Sequence, residues 1–323
     1  MYTKSFLTSF LAAAPVALGA AVVQDSECDC YLTDGAKPSY FKSHMFFDFR
    51  SLSQYAGYPD MPETRDASQA APLSSAYFDS EGEFSKTWGI QNWRNGNETF
   101  LMQNSYSNLY IETNDDPVPQ TDTWLTMRTA RHNGFQSASE FESREAYQYA
   151  SMRMHARTSG PPGACTAMFT YLEGVETLAE TQEADIEVLT RDPETIINYT
   201  NQPSYTDDDE VVEGAGHAVT MPGGVKWYEW ATHRMDWLPS EVIWSVNGQQ
   251  SWRNSFQVPR DPSRLLFNAW SNGGVWTGLM AEGGVAYQQI QWIEILHGPT
   301  DKASCNRVCS IDQSTVVGKP VRV

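Results

Sequence analysis

Glu183, Asp185 and Glu187 place three carboxylates at alternate positions within Glu183-Ala184-Asp185-Ile186-Glu187. If residues 181–190 form a β-strand, side chains alternate between faces. The three acids then share one face, and Ile186 and Val188 share the other. Three like charges in a row repel, so such a row costs stability unless the acids do chemistry or hold a cation. Two carboxyl groups flanking a bond are what glycoside hydrolysis uses: one attacks the sugar or activates water, and the other donates a proton. Cα atoms four residues apart on a strand are about 13 Å apart. Side chains leaning together bring their ends to roughly 6 Å, near the ~5–5.5 Å separation of retaining enzymes. Asp185 then comes within reach of Glu183, and the crowding of the acids resists joint ionisation. That raises a proton affinity, as a general acid requires.

The elements that must position this row are short. Segments rich in aromatic and β-branched residues lie at 124–129, 149–155, 167–171, 184–189, 231–237, 242–246, 264–270 and 288–296. Gly, Pro, Asn and Asp punctuate them, which predicts an all-β sandwich or barrel. Asn247-Gly248 after Val242-Ile243-Trp244-Ser245-Val246 predicts a hairpin. Residues 57–72 and 114–119, with their prolines and acids, predict loops. A short helix is expected only at 139–144. The acidic run 207–210 predicts a solvated turn in preference to a Ca²⁺ site.

The chain has 323 residues and a formal charge of −18, with 11 Trp, 15 Tyr and 14 Phe. That acidity argues against nucleic acid or an anionic membrane as partner, and a monomer is expected. Residues 1–21 predict a secretory signal peptide: Lys4, an apolar stretch from Phe6 to Leu18, then Gly19, Ala20 and Ala21. Residues 22–323 are then expected to form a single secreted domain. Five cysteines suit an oxidising compartment. A bond within Cys28-Asp29-Cys30 would be strained, so each is expected to pair with Cys305 or Cys309, in either combination. Cys165 is left over and expected to be a buried thiol. No Cys-x-x-Cys spacing supports zinc. Asn97 and Asn198 open Asn-x-Thr sequons that could carry glycans.

The carboxylate row, in its setting, resembles the Glu-x-Asp-x-Glu signature of glycoside hydrolase family 16. Residues 163–171, which resemble the family's strand after a glycine-rich turn, precede it. After it come His233-Arg234-Met235-Asp236-Trp237, leading into the hairpin, and Phe267-Asn268-Ala269-Trp270-Ser271-Asn272-Gly273-Gly274. The resemblance spans roughly 149–296 and is to a secreted fungal member with the concanavalin A-like lectin/glucanase fold. It implies a jelly-roll sandwich of two antiparallel sheets with a concave sugar cleft. It also implies Glu183 as nucleophile, Asp185 as its assistant, Glu187 as general acid/base, and no cofactor. Asn268 and Trp270 alternate onto one face as sugar-binding candidates, with Trp276 stacking on a neighbouring sugar. His155 and His217 could reach a polar cleft, and His155 is counted among the binding candidates, although a lone histidine is more often structural. Ala184, in place of a larger aliphatic residue, and Gln182 before the first Glu depart from the family pattern. The activity implied is retaining endo-hydrolysis of a β-glucan-type polysaccharide. The alternatives are a cell-wall transglycosylase of the chitin–glucan cross-linking type and a non-catalytic carbohydrate-binding protein.

Overall fold

A computed structural model describes residues 21–35, 37–96, 99–208 and 210–323. The expected signal peptide, apart from Ala21, and the Asn97 sequon lie outside the described residues.

The chain forms an all-β jelly-roll sandwich. One sheet orders its strands Trp88–Ile90, Phe135–Ser143, Arg264–Trp270, Cys165–Leu172, Gln182–Leu189, Ile196–Gln202 and Gly216–Thr220, all antiparallel. The facing sheet is built on the 16-residue strand Val285–Thr300. One edge of that strand pairs with Thr123–His132 and then Tyr40–Asp48; its other edge pairs with Ala150–Ser159. Ala231–Leu238, Glu241–Val246 and Gln249–Asn254 continue outward. Among the described residues, Cys30–Leu32 with Val308–Ser310 and Leu101–Asn104 with Phe135–Ser143 pair in parallel, as does the isolated Ala56–Ile111 bridge, and the other pairings are antiparallel.

Alternation explains the layering. Ala184, Ile186 and Val188 of the carboxylate strand enter the core between the sheets, as do Met152, Met154 and Ala156 from the facing sheet. Turn chemistry closes the predicted hairpin: Asn247 (φ 50°) and Gly248 (φ 77°) both take the positive φ that a two-residue turn of this hand demands.

Two expectations fail. Residues 139–143 are strand, not helix, and belong to Phe135–Ser143. Period-two alternation overrides the helix-forming Ala and Glu content: Phe141 is buried and stacks on Phe267 at 4.9 Å, while Glu140 and Glu142 take the other face. The stretch 57–72 contains a helix, Arg65–Ala70, capped by Thr64, whose Oγ1 accepts from the Ala67 amide at 3.1 Å.

The cysteines pair as Cys28–Cys309 and Cys30–Cys305, leaving Cys165 free and buried. The Asn198 sequon lies on a buried stretch of strand Ile196–Gln202. Its side chain is 6% exposed and donates to Asp192 Oδ2 at 2.9 Å. No helix among the described residues is long and apolar enough to cross a membrane.

Candidate active site

The carboxylate strand, Gln182–Leu189, runs between Cys165–Leu172 and Ile196–Gln202. Gly163 starts the Cys165 strand at φ 113°, where an added Cβ would sit 2.4 Å from the Met280 amide nitrogen, so only glycine fits this turn. Glu183, Asp185 and Glu187 face away from the core into a cavity of about 370 Å³ whose walls include Tyr171, Thr200, Gln202, Tyr205, Trp270 and Trp276. Aromatic walls around a few convergent polar groups suit a sugar ring.

Each acid has a distinct environment. Asp185 is 2% exposed and hydrogen-bonds Glu183. Burial, then the charges of Glu183 and Glu187, push its carboxyl well above the usual range, so it stays protonated and donates to Glu183. Burial also pushes Glu183 up to about 7, opposed by the Asp185 hydrogen bond and reinforced by Glu187 and Glu140. Glu187 is raised by burial and held down by two donors on one oxygen. Cys165 Sγ–H donates to its Oε1 at 3.2 Å, and the Trp276 indole N–H donates to the same atom at 3.1 Å. The three acids cannot all ionise together near neutrality and titrate as a unit.

A tight loop presents Trp276. The Gly274 amide donates to Asn272 Oδ1 at 2.9 Å, the Thr277 hydroxyl to the same oxygen at 3.1 Å, and Gly278 N–H to Gly274 O at 2.9 Å. Trp270 lines the cavity at the end of its strand. Asn268 lies in register with Ala167, itself paired with Glu187, and donates to Glu140 Oε2 at 3.4 Å.

The structure does not bring His155 to the carboxylates. It alternates with core residues Met154 and Ala156 and so faces outward from the opposite sheet. There it stacks between Trp230 (5.8 Å) and Trp292 (5.7 Å), with its Nδ1 3.0 Å from Thr232 Oγ1. Burial, with the charge of Arg50, pushes it down to about 4, so it is neutral. His217 pairs with Tyr199 and stacks on Trp252, also away from the acids.

Glu140 and Cys165 belong to the site but were not singled out for it from the sequence. Burial pushes Glu140 up to about 7, and it in turn raises Glu183. Reading Ser137-Ala138-Ser139-Glu140-Phe141-Glu142 as period two would have placed it on the cavity face. Cys165 gave no such signal. Among the described residues, no group of three or more His, Cys, Asp or Glu is placed to hold a metal ion.

Comparison with known proteins is consistent with this geometry. A β-glucanase of Bacillus licheniformis is 23% identical over 171 residues, covering 52% of this chain and 66% of that protein. A β-glucanase of Bacillus subtilis (strain 168) is 26% identical over 174 residues, covering 52% and 66%. The matched region thus spans just under two thirds of these relatives. A prokaryotic β-1,3-1,4-glucanase (lichenase) derived from a mouse hindgut metagenome superposes with a TM-score of 0.55 at 18% identity, covering 80% of this chain and all of that one, a likeness of fold. The model of glycosyl hydrolases family 16 matches residues 90–294, which include the whole carboxylate strand, Asn268 and Trp270. With well over half of its length matched, the chain belongs to glycosyl hydrolases family 16, a family of enzymes acting on O-glycosyl bonds.

Proposed function

We propose that this chain is a secreted retaining endo-β-glycosidase that hydrolyses a β-glucan-type polysaccharide, with 22–323 working as one domain. One observation carries the reading. Three carboxylates share a face of one strand, and their environments differ: Asp185 hydrogen-bonds Glu183, while Glu187 is held by Cys165 and Trp276. Glu183 attacks the anomeric carbon while Glu187 protonates the leaving oxygen, giving a glycosyl-enzyme ester. Glu187 then takes a proton from water, which displaces Glu183. Asp185 steadies the Glu183 carboxylate and disperses its charge through the shared proton. Trp270 and Trp276 offer rings to stack on sugars. The β-glucanases among the relatives support the substrate class, and two disulfides support secretion.

Replacing Glu183 with Gln should lower hydrolysis of a β-glucan by about a thousandfold or more while leaving the circular dichroism spectrum intact. Unchanged turnover would sink the assignment. NMR of the first product tests the stereochemistry separately: a retained anomer is expected, and an inverted one contradicts a nucleophilic Glu183. Products longer than the starting labelled oligosaccharide would mark transfer to sugar in place of water.

A further inference from the structure

The buried thiol of Cys165 is bonded into the acid row. Cys165 is fully buried on the cavity face of its strand, beside Ala167, Leu189, Trp270 and Trp276. Its S–H donates to Glu187 Oε1 at 3.2 Å, with the Trp270 ring packed against the same cluster. Burial and the charge of Glu187 push the thiol well above its usual range, so it remains a donor. Trp276 donates to the same Oε1 at 3.1 Å, whereas Oε2 has no hydrogen-bond partner among the described residues and is not sealed from solvent. With both donors on Oε1, the carboxyl proton belongs on Oε2, the oxygen open to the cavity.

We propose that Cys165 is a positioning residue for the acid/base: by donating to Oε1 it leaves Oε2 of Glu187 as the oxygen that exchanges the proton with the glycosidic oxygen. The proposal rests on Glu187 acting as acid/base. The charged or titratable groups facing Glu187 are few. Asp185 and Glu183 share its strand, Cys165 comes from one neighbouring strand, and the other neighbour supplies the Asn198 amide, which does not titrate. The Trp276 loop contributes only the indole.

A donor to a carboxylate favours its ionised form, so losing the thiol should raise the proton affinity of Glu187. Cys165→Ala and Cys165→Val, one smaller and one larger than the thiol and both lacking its donor, should move the basic limb of the kcat/KM profile upward by about half to one pH unit and lower kcat by about tenfold. Cys165→Ser, which keeps a donor, should restore the limb to its parental position. A 13C NMR titration of the Glu187 carboxyl, identified by its loss in Glu187→Gln, should show the same upward shift in Cys165→Ala even where turnover is too slow to follow. Overturning results are a Glu187 titration unmoved in both Cys165→Ala and Cys165→Val, or Cys165→Ser behaving like alanine. Full hydrolysis by Glu187→Gln would remove the acid/base assignment instead, while the NMR titration would still report the Cys165 bond.

Discussion

Four carboxyl groups share the cavity side of this sheet, and their cost appears as a shift in proton affinity. Glu140 and Glu183 are both pushed up to about 7, mainly by burial. A carboxyl with a higher pKa folded than unfolded holds its proton more tightly when folded. Its contribution to stability is therefore present at low pH and falls as pH rises from the ordinary carboxylate value toward 7. Replacing Glu140 with Gln keeps an acceptor for Asn268 and removes the charge. Above pH 7 this variant should be more stable than the parent by on the order of 1–2 kcal/mol, a figure already discounted for the partly open edge of the site. At pH 4 the difference should vanish. Urea midpoints at the two pH values measure this, and an equal gap at both would contradict the linkage. The three acids of the 183–187 row were legible because strand alternation is strict and like charges on one face demand a reason. Glu140 was hidden by a helix reading, and the bond from Cys165 to Glu187 joins two strands whose register no local pattern reveals.

Phe135–Ser143 is the element that most changes the picture drawn from sequence. Its first half pairs with Leu101–Asn104 and Thr123–His132 in one sheet, and its second half pairs with Arg264–Trp270 in the other. Alternation along it divides labour: Phe141 packs edge-on against Trp88 at 5.2 Å and Phe84 at 5.3 Å, and Glu140, on the other face, accepts from the Asn268 amide. Phe141→Ala should therefore cost about 3–5 kcal/mol of unfolding free energy. Glu142→Ala, one residue along and linked to Arg264 only by a 3.8 Å ion pair, should change it by about 0.5 kcal/mol. Comparable losses would deny the strand its two faces. Arg264–Trp270 was legible to the residue, because its apolar run ends at polar turn residues. Arg65–Ala70 was not, since six residues give too little helical period to outweigh the surrounding prolines. His155 was misplaced for another reason: its strand was read as 149–155 and runs Ala150–Ser159, and alternation alone does not say which sheet of a sandwich a strand joins.

Across the whole molecule, the two disulfides tie sequence-distant segments at separations of 281 and 275 residues. They are nested, so their contributions to stability are unequal in order of loss. Removing Cys30–Cys305 alone leaves the large loop closed by Cys28–Cys309 and should cost about 2–3 kcal/mol; losing the second bond as well should cost about 5 kcal/mol more. Guanidinium unfolding of the Cys→Ser pairs, singly and together, reads this directly, and two equal steps would argue against the chain-entropy account. The pairing itself was legible only as a choice between two combinations, because Cys28 and Cys30 are separated by a single residue and either arrangement closes a similar loop.

A strand held in common by both sheets acts as a strut. The layers cannot slide past one another without breaking one of its two sets of backbone ladders, so the sheet carrying the acids is braced against the sheet behind it. Polymer threading the cavity must adapt its own curvature to that frame. On the function proposed above, such a frame acts as a fixed gauge and does not remould itself around each chain.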